Sequence, residues 1–244
     1  MADKNGKIVG TKEEFVKDFE ILCYKNGRNR WEAWQDLMAC IAISICNSCD
    51  DNCTRRTKRE TEYLTIIKRY KQRDLIAKLF AIIVLALERN PNQDFLGEIY
   101  MTLDLGSHWH GQFFTPYNVC RLMSEISHEE RYDRKIITIS DPSCGAGATL
   151  IAHANVLREK GIDYQREAVF VGQDIDRVVA MMCYIQLSLL GCSGYVVVAN
   201  TLTNPVCGSV FMPEEKTGQD FWYTPLFQMN SGKIHVPCKL PLAI

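Results

Sequence analysis

Ile136-Ile-Thr-Ile-Ser-Asp-Pro-Ser-Cys-Gly-Ala-Gly-Ala-Thr-Leu150 decides the fold. A short β-branched run enters Asp141-Pro142, turns through Cys144-Gly145-Ala146-Gly147, and gives way to a helical pattern. Glycines at a strand-to-helix turn let a ligand approach the backbone, and the helix N-terminus that follows offers free N–H groups. Gly-x-Gly alone is weak evidence, because an ordinary tight turn reads the same way.

Downstream the same grammar repeats. Strands are expected at Ile136–Ile139, Ala168–Gly172 and Tyr195–Ala199, with helices at about Thr149–Lys160 and Arg177–Leu190 between them. Alternation of this kind predicts a βαβ series and a parallel sheet. The second strand ends in Gly172-Gln-Asp174, where nucleotide-binding α/β folds hold a ribose: a carboxylate there accepts hydrogen bonds from both hydroxyls. Asp176 reads as the cap of the next helix. The third strand runs into Asn200-Thr-Leu202 beside the same crevice, where an amide could bond an adenine edge.

Upstream the pattern is helical. Thr11 with Glu14 forms a capping box before Phe15, Phe19 and Leu22, and Trp31, Trp34, Leu37, Met38 and Ile41 keep the period. A further helix is expected over Tyr63–Glu88, ending before Asn90-Pro91. Residues 1–105 therefore read as a helical N-terminal subdomain and 106–244 as the α/β domain. Arg55, Arg56, Lys58 and Arg59 make a basic stripe suited to phosphate contact, although most charge runs are solvated helix faces.

Composition narrows the class. The 244 residues, 47% hydrophobic with 15 Gly and 8 Pro, can bury a sizeable core, which excludes fibrous and disordered chains. The longest apolar stretches, Met38–Cys46 and Leu75–Leu87, fall short of the roughly 20 residues of a spanning helix, so no membrane partner is expected. The start of the chain lacks a signal-peptide pattern, and eleven scattered cysteines do not suggest a disulfide framework. A cytoplasmic protein with free thiols is the simplest expectation. Cys46, Cys49 and Cys53 could supply three thiolates to a metal, but the spacing is also one face of a helix, and burial with no metal is the favoured reading. His108-Trp109-His110 reads as loop.

Taken together, Asp141-Pro-Ser-Cys-Gly-Ala-Gly147, Gly172-Gln-Asp174 and Gly111-Gln-Phe-Phe-Thr-Pro116 resemble the S-adenosylmethionine (SAM) site of amino-directed (N6) adenine DNA methyltransferases, especially the modification subunit of type I restriction-modification systems. The resemblance covers roughly Ser107 to Leu202, and that family also places a helical domain first. It implies a Rossmann-like SAM-dependent methyltransferase core. Asp141, Pro142, Cys144, Gly145 and Gly147 would shape and line the turn around the methionine moiety, and Phe114, Thr115 and Pro116 would close over the cofactor. Asp174 would hold the ribose, while Asn200 stands where the family usually has Asp. The implied reaction is methyl transfer to the exocyclic amine of adenine in DNA, with a specificity subunit or another protein as a further partner.

One family element is missing. No Asn/Asp-Pro-Pro-aromatic tetrapeptide, which holds the target amine and stacks on the flipped base, occurs in the sequence. Asn204-Pro-Val-Cys207 lacks the aromatic, and Asp220-Phe-Trp-Tyr223 lacks both prolines; Asp220 and Tyr223 are the catalytic candidates. Phe221, Trp222, Tyr223, Pro225 and Phe227 also read as a hydrophobic segment packing on the sheet or a partner. With about 40 residues after the third strand, half a methyltransferase sheet with an open edge is expected. The alternative function is a non-catalytic SAM- or DNA-binding accessory protein; a small-molecule or protein methyltransferase is a third reading.

Overall fold

Thr11 opens the first helix as expected: its hydroxyl accepts from the Glu14 N–H, and a Glu14 carboxylate oxygen accepts from the N–H groups of Val9 and Gly10. The computed structural model describes residues 9–105, 114–127 and 136–231. His108-Trp109-His110 and the Gly111-Gln112-Phe113 part of the closing element lie outside them.

Helices α1 (Lys12–Asn26), α2 (Arg30–Asn47), α3 (Cys53–Ile67), α4 (Arg73–Arg89) and α5 (Phe95–Thr102) come first, then α6 (Tyr117–Ser127). The α/β part follows as β1 (Ile137–Asp141), α7 (Ala148–Glu159), α8 (Tyr164–Glu167), β2 (Ala168–Asp174), α9 (Arg177–Leu189) and β3 (Gly194–Val198). A hairpin, β4 (Cys207–Ser209) and β5 (Met212–Glu214), leads to β6 (Asp220–Tyr223) and α10 (Pro225–Ser231). Three expected strands and two expected helices thus appear within one or two residues of their predicted ends.

The main sheet has the order β1-β2-β3-β6. The first three strands are parallel, with Asp141 beside Gly172 and Asp174 beside Val198; β6 runs antiparallel to β3, with Asp220 opposite Val198 and Tyr223 opposite Tyr195. One apolar cluster runs from Phe15, Trp34 and Tyr100 in the helices through Ile151 and Met182 to Phe170 and Trp222 on the sheet. A smaller one on the other face gathers Val169, Val171, Tyr195, Phe221, Tyr223 and Phe227. No described helix is long and apolar enough to cross a membrane.

Two expectations about helices need correction. The single helix over Tyr63–Glu88 is α3 and α4, broken at residues 68–72. The break turns Tyr70 into the core, where its hydroxyl donates to Asp36 (2.9 Å), and an Asn26 side-chain oxygen accepts from the Lys71 N–H (2.8 Å). Cys46, Cys49 and Cys53 do not share a helix face either: α2 stops at Asn47, Cys49 lies in the turn, and Cys53 starts α3, exposed. Among the described residues no group of three or more His, Cys, Asp or Glu is placed to hold a metal.

The segment around Phe221-Trp-Tyr223 packs on the sheet by becoming part of it. Its outward carbonyl at Phe221 accepts from Arg59 Nη2 (2.6 Å), so a side chain from α3 covers this edge. The opposite edge is different. Among the described residues no strand pairs with the outer side of β1, and Thr138 and Ser140 are exposed although their register partners Val169 and Val171 are 3% and 6% exposed.

Candidate functional site

The carboxyl ends of β1, β2 and β3 converge on one crevice, which in parallel α/β sheets is where ligands bind. At the end of β1, Asp141 fixes the turn: one oxygen accepts from the Ser143 N–H (3.0 Å) and the other from the Thr149 hydroxyl. The Pro142 carbonyl accepts from the Thr201 hydroxyl, linking the loops that follow β1 and β3. Cys144 is buried against the sheet, its N–H donating to the Gln173 carbonyl (3.0 Å).

The two turn glycines have separate reasons. Gly145 (φ +52°) and Gly147 (φ +97°) both take left-handed backbone that side chains rarely adopt. A Cβ on Gly147 would also lie 2.8 Å from Cys183 Sγ, so this glycine lets α7 seat on α9. A Cβ on Gly145 would lie 3.3 Å from the Phe114 ring. Phe114 therefore covers the turn, itself packed on Tyr100 with ring centres 5.1 Å apart. Thr115 and Pro116 are exposed, and their carbonyls accept from the first residues of α6.

Asp174 joins two of these elements. One carboxylate oxygen accepts from the Gly145 N–H (2.9 Å) and the other from the Asp176 N–H (2.9 Å). Each oxygen keeps a second lone pair, enough for a vicinal diol. Burial raises the Asp174 pKa, and the two backbone donors offset only part of that. Asn200 turns its oxygen to its own loop, accepting from the N–H groups of Leu202 (2.9 Å) and Thr203 (3.2 Å). Its amide N–H groups are what it can offer a base, so Asn200 would donate to a ring nitrogen, where an Asp would accept from an amine.

Sequence reasoning missed several members. Ile175 (66% exposed) directly follows Asp174, and Leu202 (92% exposed) lies two residues beyond Asn200, so each places an exposed apolar side chain next to a strand-end polar group. The signal for Ile175 was its place beside the strand-end acid. Gln186 was missed entirely: buried on α9, its amide donates to the Ala146 carbonyl in the glycine turn (2.9 Å) and to Asp94 (2.7 Å), and its oxygen accepts from the Leu96 N–H (3.1 Å).

The expected catalytic pair does not converge on this crevice. Tyr223 lies at the other end of the sheet, buried, with its hydroxyl donating to Glu215 (2.9 Å); burial, and then Glu215, push its pKa up. Asp220 lies at the crevice end but pairs with Arg59 (3.1 Å) and accepts from Trp222 Nε1 (2.9 Å). Its strand is three spacings from β1, about 14 Å. Asn204, in the other partial match, donates its amide to the Thr217 carbonyl (3.1 Å).

The basic stripe also needs correction. Arg59 is 4% exposed, bonded to Asp50 (3.3 Å), Cys46 Sγ (2.8 Å) and the Phe221 carbonyl, with its guanidinium 3.9 Å from the Trp222 ring centre. Arg55 pairs with Asp50 (3.1 Å) and Glu215 (2.6 Å). Arg56 and Lys58 alone of the four are exposed.

The glycine turn on a helix N-terminus and the strand-end acid lie together at the carboxyl end of a Rossmann-like parallel α/β sheet, the place where such sheets take their ligands. The family model described as N-6 DNA Methylase matches residues 92–217, just over half of the chain and the whole of this crevice. The chain belongs to that family. Among solved structures, a protein assigned to the class I S-adenosylmethionine-dependent methyltransferases from Listeria monocytogenes is 16% identical, with a TM-score of 0.47 over 82% of this chain and 58% of that one. The methyltransferase subunit of a type I restriction-modification system from Streptococcus thermophilus is 20% identical, with a TM-score of 0.43 over 78% and 40%. The chain thus spans less than two thirds of either. No curated protein matches the sequence.

Proposed function

We propose that this protein binds SAM at the carboxyl ends of β1–β3 and serves adenine methylation in DNA, as the cofactor-holding half of the catalytic unit. The observation that carries the reading is Asp174, whose carboxylate is held by the Gly145 and Asp176 N–H groups with lone pairs left for a ribose. The donor set fits the nucleoside: Asp174 for the diol, Ile175 and Leu202 for the faces of the adenine, Asn200 for its edge. The glycine turn and Phe114 fit the methionine end, with Asp141, Pro142, Cys144 and Gly147 shaping the turn and Thr115 and Pro116 extending Phe114's loop.

Bound there, SAM supplies an electrophilic methyl group. The adenine amine is a weak nucleophile, its lone pair delocalised into the ring, so transfer depends on orientation and on acceptors that localise that pair. Asp220 and Tyr223 are tied into the β6 side, away from the glycine turn, so we assign the acceptor-binding element to another polypeptide segment or a specificity-type partner. Arg56 and Lys58 are the phosphate contacts of this half.

A second reading, a SAM-binding accessory protein without its own transfer step, is favoured by the same engagement of Asp220 and Tyr223. Titration of SAM into the purified protein tests the common premise: saturable heat abolished by Asp174→Ala and by Gly145→Trp, both still folded, is expected, and no heat with folded wild-type protein overturns it. Methyl transfer to mixed-sequence DNA, alone or with a partner, then separates the two readings.

A further inference from the structure

We propose that Gln186 is the positioning residue of the glycine turn: it draws the Ala146 carbonyl into the core and thereby sets affinity for the amino-acid end of SAM. This role rests on the cofactor reading above and adds to it the side chain that fixes that end of the site.

One peptide unit decides the shape of the turn. The Ala146–Gly147 peptide donates its N–H to the Cys144 carbonyl (2.8 Å), and its C=O accepts from Gln186 Nε2 (2.9 Å). Gly147, at φ +97° and without a side chain, offers little resistance to rotation of that peptide. Its orientation therefore depends on those two bonds. Orientation matters because α7 begins at Ala148, and the first N–H groups of a helix have no partner within it. Such N–H groups suit an anion, here the carboxylate of the methionine moiety. A carbonyl swung among them would set a partial negative charge against that carboxylate. With Gln186 in place, the Ala146 oxygen points to the core instead.

Gln186 has the chemistry for this task and the place for it. It is fully buried on α9, three residues after Cys183, so the two share a helix face that meets the turn, Cys183 under Gly147 and Gln186 at Ala146. One amide N–H goes to Ala146 and the other to Asp94 (2.7 Å), while the amide oxygen accepts from the Leu96 N–H (3.1 Å). Asp94 in turn caps α5 by accepting from the Gly97 N–H (2.9 Å). Two donors and an acceptor on a side chain of this length are what glutamine alone supplies: ionised glutamate has no donor, and asparagine is one methylene shorter. The turn is thus anchored from behind, to the start of a helix that precedes the sheet.

Calorimetric titration with two ligands tests this role: SAM, and 5′-methylthioadenosine, which keeps the nucleoside but lacks the amino-acid end. Gln186→Met removes the donors at similar length, and Gln186→Glu keeps an oxygen for Leu96. Both are compared with wild type and with Leu22→Ala, a core lesion in α1 away from the turn, each shown to be folded by circular dichroism. In both Gln186 variants SAM affinity should fall by about tenfold or more while affinity for methylthioadenosine is unchanged; Leu22→Ala should leave both affinities as in wild type. A general loosening of the fold would weaken both ligands together. Equal loss for the two ligands, or undiminished SAM affinity in a folded Gln186 variant, overturns the role of Gln186 and leaves the cofactor reading standing. Folded wild-type protein that binds neither ligand overturns the cofactor reading, and this role with it.

Discussion

The two margins of the sheet are built on opposite principles. β6 is antiparallel, added from far along the chain, and bolted to the helices by Arg59, which meets Asp50, Asp220, the Phe221 carbonyl and the Trp222 ring at once. β1 is the strand on which the glycine turn is built, yet among the described residues its outer side has no strand beside it. A single buried cation thus takes an outward carbonyl at one margin and ties that strand to the helices, and the margin that carries the glycine turn is the one this device does not reach.

Removing the bolt should have the largest effect. Arg59→Ala leaves Asp50, whose side chain is 1% exposed, with only Arg55 as a charged partner, and uncaps the Phe221 carbonyl; a loss of about 3 kcal/mol is expected in denaturant unfolding. If the loss is under about 1 kcal/mol, the two margins are not held differently. At the turn beside β1, Gly147→Ala must take φ +97° and push on Cys183; about 2 kcal/mol of destabilisation is expected by the same measurement, with SAM affinity reduced. Asp174→Asn should weaken SAM binding by about 10- to 100-fold in calorimetry, the worth of one or two hydrogen bonds to a charged acceptor.

Acidity sharpens the contrast further. Because burial raises the Asp174 pKa, its protonated form is favoured in the folded protein, so this group adds stability at low pH and loses that contribution as pH rises through its folded pKa. Ribose binding by the charged form implies that SAM affinity is flat near neutrality and falls on acidification, with a midpoint above the 3.8 of an ordinary aspartate. A midpoint at or below 3.8 would show that burial does not raise the Asp174 pKa. The smallest effect is expected on the bare face of β1: Thr138→Lys should change stability by no more than about 0.5 kcal/mol, whereas a lysine at the buried Val196 of β3 should unfold the sheet.

Much of the β1–β3 region was legible because buried parallel strands read as apolar runs, and the strand-end glycines and acids have a local chemical purpose. Asp174 and the Gly145 turn were found for that reason. The break at Tyr70 was not, because it depends on Asp36, which lies on another helix and carries no local signal. β6 was visible as an apolar segment but not as a strand, since its partner is chosen by tertiary packing. The same distance hid Arg59: in sequence it is one of four stripe cations, and only the fold brings Phe221 to it.

Gln186 has a consequence for how the molecule comes apart. One buried amide bonds Asp94 and Leu96 at the start of α5 and Ala146 in the glycine turn, and burial also raises the Asp94 pKa. Melting the helices ahead of the sheet would strand a buried amide oxygen and a donor without partners, a cost of about 1–3 kcal/mol for each group. Partial unfolding is penalised on both sides of that residue, so heat should take the helices and the crevice together in a single cooperative transition.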